Sequence, residues 1–118
     1  MSELSVTTRT VPTGPVVELA GELDHDTASE VRALLSGLAL PPGGQLVVDL
    51  TDLTFCDSSG ITVLLAARNH VLAAQAGIAL SAVPDRVRRI FRILGLDEVF
   101  ATYPTVEDAV AAWPQQTE

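Results

Sequence analysis

Two adjacent serines in the segment CDSSGI, residues 56–61, are the first candidates for chemistry in this sequence. Asp57 precedes Ser58 and Ser59, and Gly60 follows them, between an apolar run and a segment rich in helix formers. Such a pair of hydroxyls could supply a nucleophile, cap the N-terminus of a helix or accept a phosphate. Each of these roles requires different residues elsewhere in the chain.

A serine nucleophile finds little support in the surrounding residues. The hydrolase elbow has a glycine two positions before and two positions after the serine, whereas Ser58 has Cys56 before it and Gly60 after it. The two histidines, His25 and His70, do not stand where the hydrolase order places its late base. A small serine hydrolase is therefore only the second alternative.

The other residue types exclude several kinds of site. Two histidines and one cysteine show no metal-ligand spacing, so we expect no metal site and no cofactor. The chain has no lysine, which excludes a P-loop lysine, a Schiff-base lysine and the lysine of a phospho-receiver domain. The segment DLTDLT at 49–54 matches an aspartyl-phosphate motif only loosely. These observations predict a protein that is not an enzyme.

The structural alternative for Ser58 and Ser59 is N-capping, in which a hydroxyl accepts a backbone N–H from the first turn of a helix over 59–75. Spacing alone supports this role and a functional role equally. The functional role also fits the position of the loop after a buried strand, because sites in open α/β sheets lie at the carboxyl ends of strands.

Length, charge and composition restrict the partners. The 118 residues suit one domain over 1–118, with an ordered core over about 4–113. A net charge of −8 argues against nucleic acid and anionic membranes as partners, so another protein is expected. The chain has no secretion signal, no membrane-spanning stretch and no second cysteine to pair with Cys56, which predicts a cytoplasmic location.

The hydrophobic pattern predicts the elements that position the serines. Alternation over 4–11 and 16–23 predicts a hairpin, and apolar runs over 45–50 and 78–83 predict buried strands. Helical spacing, caps and breakers predict four helices: one that begins at Asp24 or Asp26 and ends near Gly37, one over 59–75, one from Pro84 to Gly95 and one from Thr105 to Trp113. A last short strand is predicted over 96–100. The order predicts an α/β fold with a mostly parallel sheet of four to five strands, an antiparallel edge hairpin and about four helices.

Two segments together resemble the STAS domain of bacterial anti-sigma-factor antagonists. They are GELDHDTASEVR at 21–32 and VVDLTDLTFCDSSGITVLL at 47–65, and they are separated in the chain as in that family. The resemblance continues through RIFRILGLDEVF at 89–100 and so covers most of the sequence. It implies a single-domain STAS-like fold.

The resemblance also implies a function and its residues. The family consists of non-enzymatic proteins that bind an anti-sigma factor, itself a serine kinase, and so free a sigma factor for transcription. It implies that Ser59 is phosphorylated by the kinase and dephosphorylated by a dedicated serine phosphatase. The implied partner-binding residues are Asp24, Asp57, Ser58, Ser59 and Gly60, and the free protein is expected to be a monomer. The main alternative is an unphosphorylated STAS subunit of a transporter or other complex, which would bind through the same helix.

Overall fold

The computed structural model describes residues 3–114, and within this range five strands form one sheet that four helices cover. The strands are β1 (Leu4–Val11), β2 (Gly14–Leu23), β3 (Gln45–Cys56), β4 (Gly77–Ser81) and β5 (Ala101–Tyr103). The helices are α1 (Ala28–Ser36), α2 (Ser58–Ala73), α3 (Asp85–Ile93) and α4 (Val106–Ala112). None of the helices in this part of the chain has the length and apolarity needed to cross a membrane. The predicted domain also includes residues 1–2 and 115–118, which lie outside the described residues.

The strands follow chain order across the sheet, with β1 antiparallel to β2 and every other neighbouring pair parallel. Crossovers between parallel neighbours share one hand. This explains why the three connecting helices α1, α2 and α3 all pack on the same face of the sheet. The α4 helix follows the last strand and covers the other face. The carboxyl ends of the four parallel strands meet at one edge, and the predicted α/β class with an edge hairpin is confirmed.

Two hydrophobic cores hold these layers together. The larger lies between the sheet and the three helices of one face, and it includes Leu19, Leu50, Leu64 and Phe91. The smaller lies under α4, where Val106 and Ala109 cover Val16, Val47 and Ala79. Burial of apolar surface on both sides accounts for the almost continuously apolar start of β3.

The β3 strand continues beyond the apolar run over 45–50 and ends at Cys56, at the start of the CDSSGI segment. Its pairing with β2 shifts register between Glu18 and Ala20 and again between Gly21 and Glu22. Such bulges change which face a side chain points to, and they obscure the two-residue period in the sequence. The extended strand leads the chain directly into the CDSSGI segment.

The strand predicted over 96–100 is wrong. Residues 97–99 form a turn, and the last strand begins only at Ala101. Phe100 is buried and stacks on Phe91 with ring centroids 5.6 Å apart, while Leu96 and Val99 pack against the same core. The apolar residues of this segment therefore serve burial within a turn.

Candidate functional site

The two segments that carry the resemblance meet at the carboxyl edge of the sheet. Leu23 at the end of β2 pairs with Cys56 at the end of β3, and the Asp57 backbone N–H donates to the Leu23 carbonyl oxygen at 3.3 Å. Asp24 and Asp57 are the next residues after these two neighbouring strand ends. Their carboxylates thus belong to one surface, which we call the switch edge: Asp24, Asp57, Ser58, Ser59 and Gly60.

Asp57 is the N-cap of α2. Its Oδ1 atom accepts the backbone N–H groups of Ser59 at 2.9 Å and Gly60 at 3.2 Å, with the Asp57 backbone extended. The helix therefore begins at Ser58, and the alternative in which a serine hydroxyl caps it is wrong. An aspartate caps as well as a serine and also places a negative charge at the positive end of the helix dipole.

The two serine side chains differ in exposure. Ser58 is exposed and Ser59 is half-buried. Within residues 3–114, neither hydroxyl makes a hydrogen bond, and Ser58 contributes only its carbonyl oxygen, which accepts the Thr62 hydroxyl at 2.9 Å. The described fold thus does not depend on either hydroxyl, and both are available for a reaction or a contact.

Gly60 lets α2 approach the end of β2 closely. A Cβ atom at this buried position would lie 2.6 Å from the Cys56 Sγ atom and 2.9 Å from both the Leu23 Cγ and carbonyl oxygen atoms. Any larger residue would push the helix away from the strand. The glycine therefore holds the start of α2 beside the Asp24 turn.

Asp24 organises the turn between β2 and α1. Its Oδ1 atom accepts the backbone N–H groups of Asp26 at 3.0 Å and Thr27 at 3.1 Å. The buried Thr27 hydroxyl donates to the Glu22 carbonyl oxygen at 2.8 Å and accepts the Asp24 backbone N–H at 3.0 Å. Asp24 rather than Asp26 thus supplies the carboxylate at this turn, although the N-cap residue of α1 is Thr27.

The switch edge is acidic, and none of its carboxylates forms an ion pair with an arginine of residues 3–114. Asp24 and Asp57 are half-buried and Asp26 is exposed. The ion pair found within residues 3–114 joins Arg9 to Glu18 and leaves these carboxylates without a paired guanidinium. Carboxylates placed in this way suit a partner that presents arginine, lysine or backbone N–H donors.

The Cys56 thiol lies beneath this edge and is chemically inert. Burial, with a smaller contribution from the nearby Asp57 charge, raises the pKa of Cys56 to about 12. A thiol with this pKa has almost no thiolate at neutral pH and therefore does not act as a nucleophile. Cys56 acts as a small apolar residue against Gly60.

Phe55 is a surface residue that the sequence pattern did not reveal. Its side chain is 42% exposed, although it lies one residue before the buried Cys56 and opposite Glu22 of β2. The register shift at this point explains why an aromatic residue of a buried strand faces outward. Exposed aromatic side chains are enriched at protein interfaces, so Phe55 extends the candidate surface.

Catalytic and metal sites find no support in the geometry. His70 lies eleven residues after Ser59 on the same helix, a rise of about 16 Å that excludes contact with its hydroxyl. His25 is exposed, and no hydrogen bond joins it to Ser58 or Ser59 within the described chain. No group of three His, Cys, Asp or Glu side chains in that part of the chain is arranged to hold a metal ion.

Comparison with known proteins identifies relatives of this arrangement. The family model described as "Mlab, STAS domain" matches residues 6–104. The anti-sigma-B factor antagonist of Listeria monocytogenes is 33% identical over 81 residues, which cover 69% of this chain and 71% of the relative.

Solved structures with the same fold include two forms of one regulator. The anti-sigma factor antagonist SpoIIAA in its unphosphorylated form superposes with a TM-score of 0.75 at 26% identity, covering 90% of this chain and 93% of SpoIIAA. The phosphorylated form of the Bacillus cell fate determinant SpoIIAA gives a TM-score of 0.72 at 25% identity, covering 91% and 97%. The two forms of SpoIIAA thus match this chain almost equally well.

Proposed function

The chain belongs to the STAS-domain family of anti-sigma-factor antagonists, and we propose that it binds an anti-sigma factor serine kinase and so releases a sigma factor. The observation that carries this proposal is the meeting of Asp24 with residues 57–60, the N-cap and first turn of α2, at one edge of the sheet. These are the residues that the family resemblance assigns to partner binding. In this proposal the switch edge is the surface that contacts the kinase.

We further propose that phosphorylation of Ser59 turns the protein off. A phosphate adds about −1.5 to −2 charges at neutral pH. The Asp57 carboxylate already accepts the N–H groups of Ser59 and Gly60, so a phosphate on Ser59 would not find these donors vacant. It would project beside Asp57 and make an acidic edge more acidic. If the donors of the partner fit the bare Ser59 hydroxyl and the carboxylates, the phosphate would displace these contacts and add bulk at the interface. This can cost several kcal/mol of binding free energy.

The effect of this phosphate is expected to be local. The helix dipole favours negative charge at the start of α2, and neither serine hydroxyl supports the described fold. SpoIIAA keeps a fold similar to this chain in both its unphosphorylated and its phosphorylated form. These two points support a switch that changes the affinity for the partner while the fold remains the same.

The choice of Ser59 over Ser58 rests on the family resemblance, because Ser58 is the more exposed of the two. In this proposal a serine phosphatase restores the binding form by removing the phosphate. A protein that controls sigma factors acts where transcription takes place, so the proposal also implies a cytoplasmic location. Neither nucleic acid nor a membrane is expected to bind a chain with a net charge of −8.

The proposal is tested by identifying the kinase and its phosphosite. Wild-type protein, Ser59→Ala and the matched control Ser58→Ala are used as baits in lysate of the source organism, and the captured kinase is purified. Each protein is then incubated with this kinase and ATP, and phosphosites are mapped by mass spectrometry. We expect phosphate on Ser59 in the wild type and Ser58→Ala, and none in Ser59→Ala. Phosphate on Ser58 would contradict the switch residue, and stable binding to a transporter component without any phosphate would favour the subunit alternative.

A further inference from the structure

A groove separates α1 from α2 next to the switch edge. Its volume is about 430 Å³, and its floor is formed by the apolar side chains of Leu35, Val63 and Ala67, with Ala66 beside them. Polar side chains form its rim, among them Arg32 and Asn69. No carboxylate is among the side chains that line it.

The α2 helix is apolar on sides that its own chain does not cover. Six of its residues are buried against the sheet and α1, but Leu65 and Ala66 are only half-buried and Leu72 is 49% exposed. Arg68 is the only residue of the helix with a permanent charge. A helix that is apolar nearly all round is usually covered on every side. Of the three partly covered residues only Ala66 lines the groove, whereas Leu65 and Leu72 lie on the side of α2 opposite Val63. The face of α2 that borders the groove is the stripe of Val63, Ala66, Ala67 and His70.

We propose that this groove binds an amphipathic helix of the anti-sigma factor kinase, with apolar side chains on the groove floor and a carboxylate beside Arg32. This inference rests on the function proposed above and adds a second contact surface to it. An elongated groove between two helices accepts side chains at helical spacing from a third helix. Because Arg32 is exposed and no acidic side chain lines the groove, an acidic helix is favoured over a basic one.

One end of the groove lies one helical turn along α2 from the switch edge. Val63 follows Ser59 by four residues on α2 and so lies on the same side of the helix, about 6 Å further along it. A phosphate on Ser59 would therefore stand near one end of the groove. It would repel the carboxylates of an acidic helix in the groove in addition to its effect on the switch edge.

Paired charge-reversal variants test this inference with the purified kinase that phosphorylates Ser59 in the experiment above. Arg32→Glu alters the rim, and Ala66→Glu places a carboxylate within the groove. Arg89→Glu is the matched control, because it makes the same charge change as Arg32→Glu at an exposed position of α3 that does not line the groove. Circular dichroism and urea unfolding show whether each variant is folded, and calorimetry measures the affinity at two salt concentrations.

We expect each groove variant to raise the Kd about 10-fold or more, and the control to change it less than about 3-fold. The salt dependence of the affinity should decrease in Arg32→Glu. One outcome separates the groove inference from the proposed function: the wild type binds the kinase, Ser59→Glu does not, and both groove variants bind as tightly as the wild type. This outcome would overturn the groove inference and leave the proposed function standing. An equal loss of affinity in Arg89→Glu, or a wild-type dimer that Ala66→Glu dissociates without changing kinase affinity, would also overturn the groove inference.

Discussion

Substitution of Gly60 by alanine tests whether α2 packs against the end of β2 as closely as described. The new Cβ atom would lie 2.6 Å from the Cys56 Sγ atom and 2.9 Å from the Leu23 carbonyl oxygen. The Leu23 oxygen belongs to the backbone and accepts the Asp57 N–H, so the helix start itself must move. Overpacking of this kind costs about 1–3 kcal/mol, and the better helix propensity of alanine returns at most about 1 kcal/mol. Because three contacts lie below 3.0 Å and one of them is to backbone, the overpacking cost should fall in the upper half of this range, about 2–3 kcal/mol, and the expected net loss is about 1–2 kcal/mol.

Urea unfolding measures this loss against a matched control. At Gly37 the nearest atoms to an added Cβ are 3.6 and 3.7 Å away and φ is −93°, so alanine fits there without strain. We expect Gly37→Ala to be neutral or slightly stabilising. With an m-value of about 2 kcal/mol/M, Gly60→Ala should lower the unfolding midpoint by roughly 0.5–1 M urea. If Gly60→Ala unfolds at the same urea concentration as Gly37→Ala, the close approach of α2 to Leu23 is refuted.

Three further predictions concern Asp24, Cys56 and Gln75. Asp24→Asn should weaken kinase binding, measured by calorimetry. The free energy of unfolding should change by less than about 0.5 kcal/mol, because an amide oxygen can still accept the N–H groups of the turn. Unchanged affinity or a large loss of stability would count against this prediction. The pKa of Cys56 is raised to about 12, so the unfolded chain ionises first, and stability that is fully present below the ordinary thiol pKa should fall as the pH rises from about 9 towards 12. Cys56→Ala should have a shallower pH dependence in this range in urea unfolding, and an equal dependence would contradict the raised pKa. Gln75 follows α2 with φ of 60°, and Ala76 donates to the Val71 oxygen at 2.9 Å in a Schellman-type end. Gln75→Gly should therefore stabilise the protein by about 0.5–1 kcal/mol, and a loss of stability in thermal unfolding would show that the glutamine side chain contributes more than its backbone costs.

Most of the architecture could be predicted because local patterns and tertiary packing agree. Alternation of Leu4 and Val6 in β1, the apolar start of β3 and helical spacing in α1 all describe residues that pack in the two cores. Because crossovers between parallel strands share one hand, strands that follow chain order place the helices α1, α2 and α3 on the same face of the sheet. Asp24 and the CDSSGI segment could be placed at the same edge for this reason alone, since each follows a strand of the same parallel sheet.

Other features depend on contacts that a sequence pattern does not contain. The bulges between β2 and β3 turn Phe55 outward. Gly21, with φ of 108°, lies at one of them, but a glycine in a strand does not by itself show which residue of the neighbouring strand is displaced. Asp57 and the two serines are all good N-cap residues, and the choice among them depends on where β3 ends. The apolar residues near Phe100 could equally form a strand or pack as a turn, and stacking on Phe91 decides the outcome. Composition alone does not show which sides of α2 its own chain covers, and Leu72 on this apolar helix is exposed.

The most direct test of the proposed switch is the affinity of the purified kinase for two forms of the same protein. Wild-type protein is phosphorylated at Ser59, separated from the unmodified form, and both are titrated with the kinase under identical salt and nucleotide conditions. We expect the phosphorylated form to bind at least about 100-fold more weakly, which corresponds to roughly 2.7 kcal/mol, while both forms give the same circular dichroism spectrum. Equal affinity of the two folded forms would contradict the account.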